Sequence, residues 1–102
     1  MQKISAVKNL KNANELETKL RTLLGHDRVI VNPYGEHLMI QLLIDSKPET
    51  IARFSEVQLN LYTAGFRTNK GRWEPLPGEG SLLDMAELVV DLLGPYFDID
   101  NF

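Results

Sequence analysis

The stretch from His37 to Ile44 constrains this chain more than any other, because its side chains alternate as a strand's do. Leu38, Ile40, Leu42 and Ile44 share one face, and His37, Met39, Gln41 and Leu43 share the other. Just upstream, Arg28-Val29-Ile30-Val31 is short and rich in β-branched residues, and Asn32-Pro33-Tyr34-Gly35 supplies a turn between the two runs. A β-hairpin is therefore expected. Its second face is only half polar, so some further element is expected to cover part of it.

Helices are expected on either side of this hairpin. Asn14 is followed three residues later by Glu17, the spacing at which a cap side chain and a first-turn carboxylate satisfy each other's backbone donors. Leu16, Leu20, Leu23 and Leu24 then make one helical stripe, and Gly25 stops it in a left-handed cap. Ile4, Val7 and Leu10 are spaced to add turns upstream, so residues 1–13 read as a fraying extension.

Ser46 and Glu49 repeat the capping pattern, with Pro48 tolerated in a first turn. Ile51, Phe54, Val57, Leu61 and Ala64 lie close to one helical direction, and Gly65 ends the run. The spacing predicts a second helix here, with an alternating strand over residues 57–62 as the competing reading. Phe66-Arg67-Thr68 and Arg72-Trp73-Glu74 flank Asn69-Lys70-Gly71 as a short hairpin. Ser81 with Asp84 opens a last helix that stops at Gly94-Pro95. The expected fold is an α+β two-layer sandwich in the order αββαββα, with an antiparallel sheet, forming one domain over 1–102.

Composition bounds the chemistry. A chain of 102 residues that is 43% hydrophobic and 25% charged can bury a single core and fold by itself. It has no cysteine, which removes disulfides, thiolate nucleophiles and cysteine-ligated metals from consideration and is compatible with the cytoplasm. No apolar run is long enough to cross a bilayer, and Met1 to Lys8 do not read as a signal peptide. The net charge is −3 but is unevenly placed: from Glu74 onward there is no lysine or arginine and there are seven carboxylates.

No constellation in the sequence calls for a catalytic, cofactor or metal assignment. His26 and His37 are the only histidines, and neither has metal-ligand spacing. Glu36 and His37 are neighbours whose side chains point to opposite faces of a strand, which makes them a poor acid/base pair. The loop Pro77-Gly78-Glu79-Gly80-Ser81 lacks the phosphate-cradle pattern and carries a carboxylate of its own.

Two regions do suggest binding. The last helix confines its charges to Asp84, Glu87 and Asp91, and its wide apolar arc points to a subunit or partner interface at Leu83, Met85, Leu88, Val89 and Leu92. Leu59, off the main stripe of the second expected helix, and Tyr96 and Phe97 in the aromatic–acidic tail 96–102 extend that surface. The second region is the hairpin, where Arg67, Lys70 and Arg72 with Trp73 form a mixture that pairs phosphates and stacks on bases. With the basic N-terminal segment it defines a nucleic-acid alternative.

The element order resembles that of small acidic secretion chaperones, dimeric α+β proteins that hold segments of partner proteins; the resemblance implies a binding role and no site residue. The leading expectation is a cytoplasmic protein-interaction or regulatory module without catalytic activity, binding another protein or itself as a homodimer. Nucleic-acid binding is the alternative, an enzyme the third reading, and no membrane is involved. Trp73 is expected in the core, with the hairpin's cations on the solvated side.

Overall fold

The residues after the first hairpin continue the sheet instead of leaving it. A computed structural model describes residues 6–97, with side chains from residue 9. Helix α1 (Ala6–Leu24) is followed by five strands, β1 (Val29–Tyr34), β2 (His37–Ile44), β3 (Lys47–Gln58), β4 (Leu61–Arg67) and β5 (Trp73–Pro75). Helix α2 (Leu82–Leu93) and a single 3₁₀ turn, Gly94–Phe97, complete the described chain. Every strand pairs antiparallel with its neighbour in the order β1-β2-β3-β4-β5. The α+β class is as expected; the αββαββα order is not, because the second helix is absent and two strands stand in its place.

The reason lies in the loops. Asp45 and Ser46 sit at φ 52° and 67°, both left-handed, which is the conformation a two-residue hairpin between β2 and β3 requires. Ser46 is therefore a turn residue and not a helix cap. Gln58 pairs with Leu61, so Leu59 and Asn60 form a second such loop, with Asn60 at φ 61° and its N–H donated to the Glu56 carboxylate at 2.9 Å. Within the strands Ala52 and Phe54 are buried, as are Tyr62 and Ala64, a period of two. The helical spacing of Ile51, Phe54, Val57, Leu61 and Ala64 is accidental; β2 offers an unpaired edge beside them, and pairing overrides the local pattern.

Helix α1 starts at Ala6, so Asn14 lies within it and its capping pattern is unused. Ala13, Leu16 and Leu20 are fully buried on one stripe, and Gly25 closes the helix at φ 77° with its N–H on the Arg21 carbonyl at 2.8 Å. Ser81 caps α2 by accepting the Asp84 N–H at 3.1 Å, worth about 1 kcal/mol.

Both helices lie on the same side of the sheet. Their buried residues, among them Leu16, Leu20, Met85 and Val89, meet Val29, Val31, Leu38, Ile40, Leu42, Ala52, Phe54 and Tyr62 in one core. Phe97 from the 3₁₀ turn joins it, its carbonyl accepting a hydrogen bond from His26 Nε2 at 2.9 Å. The Arg28 N–H donates to Nδ1 of the same ring at 3.1 Å, so a neutral His26 carries its proton on Nε2. Tyr62 Oη accepts from Asn12 Nδ2 at 3.0 Å, and burial, with the Glu56 and Glu15 carboxylates adding to it, raises the phenol above its ordinary pKa.

Candidate functional site

The alternate residues of the same strands form a second face that no element among the described residues covers. Its side chains follow from the register. Asn32, Met39, Arg53, Gly65 and Pro75 pair in sequence across all five strands and make one row. A neighbouring row holds Ile30, Gln41 and Thr50; another holds Tyr34, His37, Ser55 and Thr63. Leu43 opposite Pro48 extends the face at one end. Of these, Ile30, Met39, Leu43 and Arg53 are half-buried, with no layer above them among the described residues. The further element expected over Met39 and Leu43 is not present in the described chain.

Polar contacts organise this surface. Asn32 Nδ2 donates to Gln41 Oε1 at 2.8 Å, and Gln41 Nε2 donates to Thr50 Oγ1 at 3.2 Å, linking three strands. His37 Nδ1 lies 2.7 Å from Ser55 Oγ. At the centre, Arg53 lies over the ring of Trp73, its guanidinium carbon 4.4 Å from the ring centroid. Such stacking contributes on the order of 1 kcal/mol.

Beside that stack, Gly65 allows a close approach of the β5 backbone. Trp73 pairs with Arg67, two residues beyond Gly65, and its indole passes beside the glycine to reach Arg53. A Cβ at Gly65 would sit 3.2 Å from the Glu74 carbonyl oxygen and 4.0 Å from Trp73 Cε3. A depression of about 200 Å³ beside it is lined by Arg53, Ser55, Thr63, Trp73, Glu74 and Pro75, among others. Trp73 is thus half-buried on the uncovered face, not in the core as its place in the hairpin suggested. A core position would need Trp73 to alternate with the helix side, and its register partner Arg67 faces the other way.

Both edges of the sheet carry features that hinder strand addition. On β1 the outward backbone groups are taken by α1: Arg21 Nε donates to the Val29 carbonyl at 2.9 Å, and the Val31 N–H donates to Glu17 Oε1 at 2.9 Å. The two side chains also pair with each other at 3.6 Å. Two residues further on, Pro33 has no N–H to present. On β5 the corresponding outward position is Pro75. These are devices that hinder a further strand from adding.

The sequence-predicted interaction residues are dispersed. Met85 and Val89 are buried in the core, Leu88 is half-buried, and Phe97 is fully buried. Leu83 and Leu92 remain 41% and 45% exposed, but they are nine residues apart on α2, which at about 100° per residue puts them on opposite flanks. Leu83 faces α1, where it lines a groove with Asn14, Thr18 and Thr22. The wide apolar arc is thus spent on the core in its middle and split at its margins. Leu59 is 77% exposed at the β3–β4 turn, and Tyr96 is exposed on the 3₁₀ turn. The remainder of the aromatic–acidic tail, from Asp98, lies outside the described residues.

Of the nucleic-acid candidates, Arg67, Lys70 and Arg72 are exposed at the β4–β5 hairpin, with Trp73 turned to Arg53. The basic residues of α1 lie over the other side of the sheet, where α1 packs on β1, and Lys19 and Arg21 are paired with Glu87 and Glu17. Lys3 and the Lys8 side chain lie outside the description. Among the described residues no three histidine or carboxylate side chains gather as a metal site would need, and no helix is long and apolar enough to cross a membrane.

Sequence reasoning missed Arg53 and the role of Gly65. A glycine inside a strand often marks a close approach, but Gly65 reads as a helix stop once residues 46–64 are taken for a helix. Comparison with models of protein families, with curated proteins and with solved structures gives no match. The likeness to secretion chaperones was carried by an element order the chain does not have, and nothing is transferred from it.

Proposed function

We propose that this chain is a non-catalytic protein-binding module of the cytoplasm, with the uncovered sheet face as its binding surface. One observation carries the reading: a five-stranded sheet has both helices on one side, and among the described residues nothing covers its other face, which bears Ile30, Met39, Leu43 and Trp73. Apolar side chains without a covering layer are where a partner gains most from burial. The edges hinder strand addition, so the face itself is the available surface.

The nucleic-acid reading needs cations along one track, and the described residues it names lie apart, Lys11, Lys19 and Arg21 on α1 and Arg67, Lys70 and Arg72 at the β4–β5 hairpin. The chain's own second copy is a further partner favoured by a separate feature. Tyr34, Val57 and Leu59 are exposed at one end of the sheet, because the β1–β2 and β3–β4 turns lie at the same end.

Capture of partner proteins by the native chain, compared with a Met39→Lys/Leu43→Lys variant and with Leu83→Lys, tests the surface. Loss of captured proteins in the first variant and retention in the second is the expected outcome. Proteins that stay bound to Met39→Lys/Leu43→Lys and leave Leu83→Lys would move the binding surface to the helices.

A further inference from the structure

We propose that the uncovered face takes a carboxylate-bearing protein segment, an acidic residue flanked by aliphatic or aromatic ones, with the carboxylate on Arg53 and the apolar neighbours on Met39 and Trp73. The proposal rests on the open face being the binding surface and adds the chemistry of what it binds.

The sheet sorts its charges by side. Its strand carboxylates Glu49, Glu56 and Glu74 pair with Leu42, Tyr62 and Phe66, all at helix-side positions. The opposite positions hold Arg53 and Arg67 and no carboxylate. A chain with net charge −3 thus presents a face whose strand positions carry no carboxylate, with a cation on its middle strand. A partner of complementary charge is acidic.

Arg53 has the form of an unused receptor. It is half-buried, stacked on an indole, and among the described residues its guanidinium makes neither an ion pair nor a hydrogen bond. With the indole against the guanidinium and no protein partner among the described residues, its N–H groups are available to a carboxylate, which a guanidinium can hold through two parallel hydrogen bonds. Met39 is its direct neighbour on β2 and the depression over Gly65 lies on the other side, so apolar side chains adjoining the carboxylate have places to go.

A second copy fits this face poorly, since two-fold pairing would bury two guanidiniums with no anion between them. A polynucleotide needs several aligned cations, and Arg53 is single at the centre of the sheet.

Trp73 is the sole tryptophan, so its fluorescence reports on the face directly. The probes are short acetylated and amidated peptides in which leucine alternates with aspartate, glutamine or lysine, and an oligothymidylate. We expect the aspartate peptide alone to shift Trp73 emission, with an affinity that falls as salt rises. Arg53→Gln should weaken it roughly tenfold or more. Met39→Glu should abolish it by setting an internal carboxylate opposite Arg53, and circular dichroism of both variants verifies the fold. Equal binding of the aspartate and glutamine peptides, or an unchanged affinity in Arg53→Gln, would overturn the carboxylate assignment. Binding of the lysine peptide alone would overturn it too while keeping the face as a binding surface. Tighter binding of oligothymidylate replaces the partner class, and no response to any probe rejects the proposal while the capture comparison judges the face separately.

Discussion

The two faces of one sheet are built from alternate residues of the same strands and meet opposite fates. On the helix side Ile40, Leu42, Ala52 and Phe54 are fully buried. One residue along, Met39, Gln41, Arg53 and Ser55 are half-buried, with cross-strand contacts and, among the described residues, no second layer. The difference shows where stability ends and binding capacity begins. Core side chains gain from burial already complete in the folded chain, whereas open-face side chains retain area that a partner can still remove from water.

Mutation of one residue from each face gives the sharpest separation. Phe54→Ala removes a fully buried ring from the middle strand and is expected to cost about 3–5 kcal/mol. Trp73→Ala removes a larger side chain but one that is half-exposed and stacked on a cation, and about 1–2 kcal/mol is expected. Urea denaturation of both variants makes the comparison. A loss at Trp73 equal to that at Phe54 would mean the open face is core in solution, covered by something outside the described chain.

The helix-side face was legible from the sequence, and the reason is local. Leu38, Ile40 and Leu42 alternate within one uninterrupted run, Gly25 and Ser81 signal helix ends by their own chemistry, and both signals are used as read. The middle of the chain was not legible. Asp45-Ser46 forms a left-handed turn pair without the glycine that normally announces one, and Ser46-Glu49 imitates a helix cap. The open face was half visible: its Met39 and Leu43 stood out as apolar residues on a mixed face. That no layer among the described residues covers them is a property of chain topology, which alternation does not encode. The Arg53–Trp73 stack depends on the register that sets Arg53 opposite Gly65, a pairing between strands that the helix reading had merged.

The edges sharpen the comparison at intermediate cost. If binding belongs to the face, the closed edge of β1 protects it from competition by strand addition. Glu17→Ala removes the acceptor of the Val31 N–H and the partner of Arg21, at an expected cost of about 1–2 kcal/mol. It should also slow-exchange less: the Val31 amide is expected to lose hydrogen-exchange protection while Ile40 keeps it. Concentration-dependent aggregation of this variant, absent in the native chain, would show that the Glu17–Arg21 pair blocks edge pairing. Unchanged protection at Val31 would show that the edge is closed by other means.

The smallest effect on stability is expected at Leu59, where the surface at the end of the sheet is tested apart from its face. Leu59 is 77% exposed and Tyr34 is 72% exposed, both on turns at the same end, with Val57 beside them. A side chain so exposed contributes little to the folded monomer, so Leu59→Ser should change unfolding free energy by less than about 0.5 kcal/mol. Its effect should instead fall on assembly. Leu83 and Leu92, on opposite flanks of α2, do not form one patch for a two-fold partner, whereas Tyr34, Val57 and Leu59 gather at one end, where two copies can meet without burying Arg53. Light scattering coupled to size exclusion is expected to give a dimeric mass for the native chain at high concentration and a monomeric mass for Leu59→Ser. A native chain that is monomeric throughout would remove self-association and leave the open face as the sole proposed contact, while a dimer insensitive to Leu59→Ser but broken by Met39→Lys would bring the second copy onto the face itself.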